Sequence, residues 1–230
     1  MTYFCIMLPR HFLAHAVSVI FHPLSVLTYT LVFLLSANPY VFGVSRMTEK
    51  MDLILIVFST TFLLPALATF LMVRLQLADD LQLQERMQRV GPYIAAGVLY
   101  SWMTKNLLEN TDIPPIFAAI SLGCTLSIFV AFVVNVQFKI SLHAIGSAGM
   151  TAIFIILHLH YPYARISLNL AELGTLQISL LTMVFISVII AGATGTSRLI
   201  LGVHRPWEVY WGYVLGMIMP FLALPIAKFL

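Results

Sequence analysis

The sequence predicts an all-α fold, a polytopic bundle of six to seven transmembrane helices, and two observations support this prediction. Of the 230 residues, 60% are hydrophobic and 9% are charged, and the mean hydropathy is +0.97. A soluble domain carries about 25% charged residues, so this composition excludes a water-soluble globule and a disordered chain. The apolar residues also form long runs, and about 20 such residues cross a bilayer as a helix.

Seven apolar runs are the predicted spans, and short polar segments separate them. They cover residues 23–37, 53–73, 92–108, 114–138, 144–160, 175–193 and 207–229. Lipid leaves only helices or closed barrels as spanning structures, and a barrel needs alternating strands of about ten residues, so these continuous runs favour helices. The first run either extends back to Phe12 or follows an interfacial helix that ends at His22, before Pro23. We interpret it as an uncleaved span rather than a signal peptide.

The composition also limits the class of protein, and it leaves room for one membrane-embedded domain over residues 1–230. The net charge of +3 comes from 12 Lys and Arg against 9 Asp and Glu. It provides no basic cluster for nucleic acid. Cys5 and Cys124 belong to no Cys-x-x-Cys or Cys/His set, so we expect no zinc site and no disulfide framework. We therefore expect membrane lipids as partners and no metal or cofactor, and the oligomeric state stays open.

Helices that cross a membrane place alternate loops on the same side. Three polar segments follow even-numbered runs and share one face, called here the active face: residues 74–91, 139–143 and 194–206. The other segments share the opposite face: residues 38–52, 109–113 and 161–174. Charges near lipid are costly and mark functional candidates, and the active face carries most of the arginines. The positive-inside rule alone would place this face in the cytoplasm.

The last segment of the active face combines an arginine, a histidine and a carboxylate. His204 and Glu208 are four residues apart, so on a helix they share one face. The carboxylate could then hold one imidazole nitrogen and leave the other nucleophilic. Arg198 supplies a planar guanidinium that suits a phosphate.

The other two segments of the active face add cations and a second histidine. Lys139, Ser141 and His143 precede a predicted helix, whose N-terminal amides attract anions. Arg86 and Arg89 are three residues apart and can point the same way. Together the segments suit phosphoryl transfer, in which cations bind the phosphate oxygens, one histidine attacks and another protonates the leaving oxygen. We see no acidic cluster for Mg²⁺, which favours a metal-free route through phosphohistidine.

The order of these motifs resembles the type 2 phosphatidic acid phosphatase superfamily, whose signatures are K-x6-R-P, P-S-G-H and S-R-x5-H-x3-D. Residues 197–208 match the third signature, with Glu208 at the aspartate position. Residues 140–143 keep the serine and histidine of the second, with Ile and Leu in place of Pro and Gly. The first signature is degenerate, because Gln84 and Gly91 stand where it has Lys and Arg.

A bacterial membrane branch of the superfamily is the closer likeness. It shares an F-H-P-L motif with residues 21–24 and an R-x2-R-x2-P-Y motif with residues 86–93. From its position before Pro23, we nevertheless expect His22 to be a structural residue at a helix start.

Carried over residue by residue, the resemblance implies that His204 is the nucleophile, that Glu208 orients it and that His143 is the general acid. It assigns phosphate binding to Arg198 and Ser141. As substitutes for the missing first signature we add three basic residues of the active face: Arg86, Arg89 and Lys139.

The activity that the resemblance implies is metal-independent hydrolysis of a lipid phosphate or diphosphate monoester, with the site on the periplasmic side of a bacterial inner membrane. One alternative is a catalytically degenerate member that acts as a lipid-binding or partner subunit, which the altered first and second signatures favour. Vanadate-dependent halide oxidation shares the same site chemistry and is a third alternative.

Overall fold

The computed structural model describes residues 2–79, 83, 85–161, 165–169 and 175–229, so Gln84 of the degenerate signature lies outside it. Within these ranges the chain is almost entirely helical. The α-helices are α1 (Thr2–Ile20), α2 (Val26–Ala37), α3 (Met51–Phe58), α4 (Leu64–Arg74), α5 (Val90–Glu109), α6 (Pro115–Gln137), α7 (Leu142–His160), α8 (Leu180–Ile200) and α9 (Pro206–Ile226). Two short strands, β1 (Arg165–Asn169) and β2 (Thr175–Ser179), pair antiparallel between α7 and α8.

Six helical stretches of the described chain are long and apolar enough to cross a bilayer, which indicates an integral membrane protein. They are His11–Ala37, Pro39–Arg74, Pro115–Gln137, Leu142–His160, Leu180–Ile200 and Pro206–Ile226. Large apolar side chains such as Phe185, Ile189 and Trp211 are exposed on α8 and α9, and exposed apolar surface of this kind marks contact with a membrane or a partner. The predicted all-α polytopic bundle is confirmed, while the predicted span at residues 92–108 is a helix, α5, that is not among these six stretches.

One predicted helix start is wrong. Residues 175–179, expected to begin the sixth span, form β2 instead, with Thr175 opposite Asn169 and Ser179 opposite Arg165. Their sequence alternates polar and apolar residues, which is the period of a strand rather than of a helix. The helix begins at Leu180, where the Oγ of Ser179 accepts the amide of Thr182 at 3.1 Å and so caps the helix.

A separate helix precedes Pro23, as in the second sequence alternative, whereas the stretch that is apolar enough to cross the bilayer runs back to His11, close to the Phe12 of the first alternative. Helix α1 ends at Ile20, and a 3₁₀ turn over Pro23–Ser25 leads into α2. The hydroxyl of Tyr29 donates to the carbonyl of Ile20 at 2.6 Å, which satisfies one acceptor at the helix end. Ser18 of α1 is buried and faces the active end of the bundle, as its contacts below show.

Helices α3 and α4 form one continuous rod with a wider turn in the middle. Residues Ser59–Leu63 are π-helical, and Pro65 follows in the first turn of α4. Proline has no amide to donate to the preceding turn, and the wider turn accommodates this loss. π-Helical turns occur often at functional sites, and this one carries Phe62 to the cavity described below.

Two glycines let α9 cross α7 at close range. A Cβ at Gly212 would lie 2.8 Å from the Cβ of Ala144, and one at Gly216 would clash with the carbonyl oxygen of Ile145. Small residues four apart permit this approach between membrane helices. The crossing brings the first turns of α7 and α9 together, and the amide of Ser141 donates to the carbonyl of Glu208 at 3.3 Å.

The segments of the active face meet at one end of the bundle. The guanidinium of Arg86 donates to the carbonyl of Gln137 at the end of α6, at 2.7 Å. That of Arg89 donates to the carbonyl of Ile140 at 3.1 Å. Ser141 bonds to Glu208, whose carboxylate in turn contacts His204 and accepts from Arg205. These bonds join all three segments, as the alternation of loops predicts.

Candidate functional site

A cavity of about 330 Å³ opens at this end of the bundle. Five basic or imidazole side chains line it: His22, Arg89, His143, Arg198 and His204. Most of the remaining wall is apolar, and includes Leu24, Phe62, Phe70, Ile128 and Leu142. The cavity therefore combines a cationic patch, suited to an anion, with a surface suited to a hydrocarbon group.

His204 is held by the carboxylate of Glu208. The two side chains are buried, and the Nδ1 of His204 lies 2.7 Å from Oε2 of Glu208. The same oxygen accepts the amide of Arg205 at 3.3 Å, so one carboxylate both caps α9 and orients the imidazole. Gly202 turns the chain between α8 and α9 with a φ of +66°, a conformation that favours glycine.

The contact between His204 and Glu208 differs from the predicted one. Helix α9 begins at Pro206, so His204 lies in the connection rather than on a helix, and Glu208 reaches back to it from the first turn. Residues 194–200 were predicted as loop but belong to α8. The connection between the two helices is consequently short, and this places Arg198 one turn before it.

The bond to Glu208 fixes the form of His204 that matters chemically. A carboxylate only accepts, so Nδ1 carries the proton and Nε2 keeps its lone pair. Burial, together with the positive charges of Arg89 and Arg198, lowers the pKa of His204 from 6.5 to about 2. The ring is therefore neutral at physiological pH, with Nε2 available as a nucleophile.

His143 is the second residue of α7, and its ring is held by α1. Nε2 lies 3.1 Å from the carbonyl oxygen of Ser18, and a carbonyl only accepts, so Nε2 bears a proton. Nδ1 is then the nitrogen that can exchange a proton with a ligand. The Ser18 carbonyl keeps this edge of the ring in a fixed orientation.

Arg198 reaches the cavity from the last turn of α8. One of its terminal nitrogens lies 3.4 Å from the Oγ of Ser18, and its Nε is buried with no partner among the described residues. A buried charged donor without an acceptor is costly. An anion bound in the cavity could supply that acceptor.

Arg86 and Arg89 do not point the same way, contrary to the sequence expectation. Arg89 is buried at the end of a 3₁₀ turn, donates to the carbonyls of Leu83 and Ile140 and lines the cavity. Burial lowers its pKa, although a guanidinium stays charged at neutral pH. Arg86 is exposed and binds the last carbonyls of α6, Val136 and Gln137.

A second, more polar pocket of about 410 Å³ lies beside the cavity. It is lined by Arg86, Lys139 and Arg205, together with Glu85 and Glu208. Burial and the charge of Arg89 lower the pKa of Lys139. His204 lines this outer pocket as well as the cavity, so the predicted cations Arg86 and Lys139 share a pocket with this histidine.

Ser141 supports the start of α7. It is fully buried, and its Oγ accepts the amide of Ala144 at 3.4 Å, as an N-cap does. It lines neither the cavity nor the outer pocket. Direct binding of a phosphate by Ser141 stays a prediction.

His22 is the structural residue that the sequence predicts, and it also lines the cavity, which the sequence does not predict. It caps the turn after α1, since its Nδ1 accepts the amide of Leu24 at 3.4 Å. Its ring centroid lies 5.4 Å from that of His143. The F-H-P-L motif was the available signal.

No protein-family model matches the sequence, and no curated protein or solved structure gives a significant match. Among the described residues, no group of three or more His, Cys, Asp or Glu could hold a metal ion.

Proposed function

We propose that this protein is an integral-membrane lipid phosphatase, which hydrolyses a lipid phosphate or diphosphate monoester through a phosphohistidine intermediate. The observation that carries the proposal is the shared cavity of His143, Arg198 and His204. These residues come from the start of α7, the last turn of α8 and the connection between α8 and α9, and their chemical types are those that phosphoryl transfer requires.

In the first step, Arg198 and Arg89 bind the nonbridging oxygens of the phosphate. The Nε2 of His204 attacks phosphorus, and the bond from phosphorus to the lipid oxygen breaks. Glu208, 2.7 Å from Nδ1, stabilises the positive charge that develops on the ring. His143 enters this step as an imidazolium, protonated on both nitrogens. The leaving oxygen takes the proton of its Nδ1, while the Nε2–H of that ring stays on the carbonyl of Ser18.

In the second step, water attacks the phosphohistidine and gives a proton to Nδ1 of His143. The bond from phosphorus to Nε2 breaks, and phosphate leaves with His204 restored. His143 is then protonated for another cycle. In both steps the proton is transferred to or from His143, and neither step as written uses a metal ion.

The apolar part of the cavity supports a lipid rather than a soluble ester as the substrate. Phe62 and Phe70 come from the rod of α3 and α4, and Leu24 and Ile128 add apolar wall from the turn before α2 and from α6. Burying hydrocarbon against these groups contributes about 25 cal/mol per Å². A membrane-spanning protein also meets its lipid substrate at high local concentration.

Phosphate release from a panel of lipid phosphates in detergent tests the proposal. The panel contains phosphatidic acid, phosphatidylglycerol phosphate, a polyprenyl diphosphate and lipid A. We expect His204→Ala to lower release on the order of 10³-fold or more, and His11→Ala, at an exposed position of α1, to leave it unchanged. Equal release by wild type and His204→Ala would remove His204 from the mechanism.

A second candidate function is lipid binding without turnover. Two predicted phosphate ligands are engaged with backbone groups, Ser141 with Ala144 and Arg86 with the end of α6. Retention of a lipid phosphate by the purified protein, without release of phosphate from any member of the panel, would favour this candidate over the phosphatase.

A further inference from the structure

The turn between α1 and α2 is pressed against the first turns of α7. A Cβ at Gly146 would lie 2.7 Å from the Cβ of Pro23 and 2.8 Å from its Cα, so a glycine is required for this approach. The contact sets His22, the residue before Pro23, next to His143 at the start of the same helix. His22 is therefore placed in the site by backbone packing.

Two rings then fix the imidazole of His22. It lies edge to face with His143, with 5.4 Å between centroids and 81° between planes. On another side it meets Phe62 of the π-helical turn, at 5.4 Å and 88°. A ring packed in this way has little rotational freedom and presents the same edge to the cavity.

The two nitrogen atoms of His22 make different hydrogen bonds, one as an acceptor and the other as a donor. Nδ1 accepts the amide of Leu24, so in the neutral ring the proton is on Nε2. Capping alone is better served by Asn, Asp, Ser or Thr. A histidine adds a second nitrogen at the opposite edge of the ring, and this Nε2–H is the group that can meet a ligand in the cavity.

We propose that His22 binds the phosphoryl group of the substrate, by donating its Nε2–H to an oxygen close to the one that His143 protonates. This inference rests on the proposed function for the identity of the anion. In this role His22 transfers no proton and forms no covalent bond with the substrate. It completes a cradle with Arg89 and Arg198, which line the same cavity.

Two substitutions separate this role from capping. The amide of Asn overlays Nδ1, so His22→Asn keeps the acceptor for Leu24 and loses the distal donor. His22→Gln carries its amide at the distance of Nε2 and keeps that donor. We expect His22→Asn to lower kcat/KM for the best lipid phosphate on the order of 10- to 100-fold, as loss of a bond to a charged group does, and His22→Gln to retain clearly more.

His15→Asn is the matched control, because His15 is exposed on α1, the helix that precedes His22, and it should equal wild type. Retention of activity in His22→Asn with loss in His22→Gln would overturn the inference in favour of capping alone. Wild-type activity in both variants would also overturn it.

Binding of orthovanadate, measured by calorimetry on the detergent-solubilised protein, distinguishes this inference from the proposed function. Weaker binding in folded His22→Asn, at least about 10-fold, supports the contact with a tetrahedral anion. If wild type hydrolyses no lipid phosphate and still shows this difference, the phosphatase proposal fails and the role of His22 stands. If wild type hydrolyses lipid and His22→Asn binds vanadate normally, only the role of His22 fails.

Discussion

Glu208 joins the stability of a helix to the orientation of a histidine. Its Oε2 accepts from both the Nδ1 of His204 and the amide of Arg205, and the side chain is buried. The position corresponds to an aspartate in the signature that the sequence resembles. The longer side chain reaches His204 because the imidazole lies outside α9.

We expect Glu208→Gln to impair turnover more than Glu208→Asp. Glutamine can still accept from Nδ1 but has no charge to stabilise the ring in the transition state, so kcat should fall on the order of 10³-fold. Aspartate keeps the charge with a shorter reach. Rates of phosphate release under saturating lipid provide the measurement, and the opposite ranking would contradict an electrostatic role.

The sequence predicts which residues share a face of the bundle but not which side chains enter the cavity. The order of motifs predicted that His143, Arg198 and His204 lie on one face, because alternating spans bring those segments together. Whether a side chain enters the cavity depends on local turns, and the 3₁₀ turn over Met87–Arg89 turns one arginine inward and leaves Arg86 outside. His22 was missed because a histidine before proline has an ordinary structural explanation, and only packing shows its second contact.

At the scale of elements, the contact between α7 and the turn at Pro23 should be sensitive to one added carbon. Gly146→Ala would raise the helix propensity of α7 by about 1 kcal/mol, yet its Cβ would clash with Pro23. We expect kcat/KM to fall at least about 10-fold as His22 is displaced, since moving a group in a site by about 1 Å can lower the rate by this factor or more.

Gly192→Ala is the matched control for this substitution. Gly192 lies within α8, and nothing is within 4 Å of a Cβ built there, so activity should stay at the wild-type level. Full activity of Gly146→Ala, with unfolding temperatures of both variants measured in detergent, would show that the turn can move without consequence.

The helices themselves were predictable because lipid enforces long apolar runs. The exceptions have physical causes. The residues of β2 alternate in polarity, but the apolar helix α8 follows them directly. A count of apolar residues therefore assigns the strand and the helix to one span. The separate helix α1 depends on the proline turn and on packing against α8, neither of which hydropathy measures.

At the scale of the whole molecule, the orientation of the bundle can be tested independently of activity. We propose that the end with the cavity faces the periplasm of a bacterial inner membrane, as the resemblance implies. Met87, 66% exposed, lies at this end, beside the active-face contacts of Arg86 and Arg89.

Met87→Cys, in a variant whose Cys5 and Cys124 are replaced by Ser, should react with a membrane-impermeant maleimide in intact cells. The cysteine-free parent is the control for background labelling. Labelling only after the inner membrane is broken would place this end in the cytoplasm, where the positive-inside rule alone puts it.

The position of His204 between the cavity and the outer pocket has a consequence for how a reaction there would finish. This one imidazole lines both the largely apolar cavity and the more polar outer pocket. Cleavage of a lipid phosphate at this histidine would yield an apolar lipid alcohol and a hydrophilic phosphate ion. The alcohol suits the apolar cavity, and the phosphate suits the outer pocket. The lipid alcohol would then leave toward the bilayer and the phosphate toward water, so neither product would block the exit of the other.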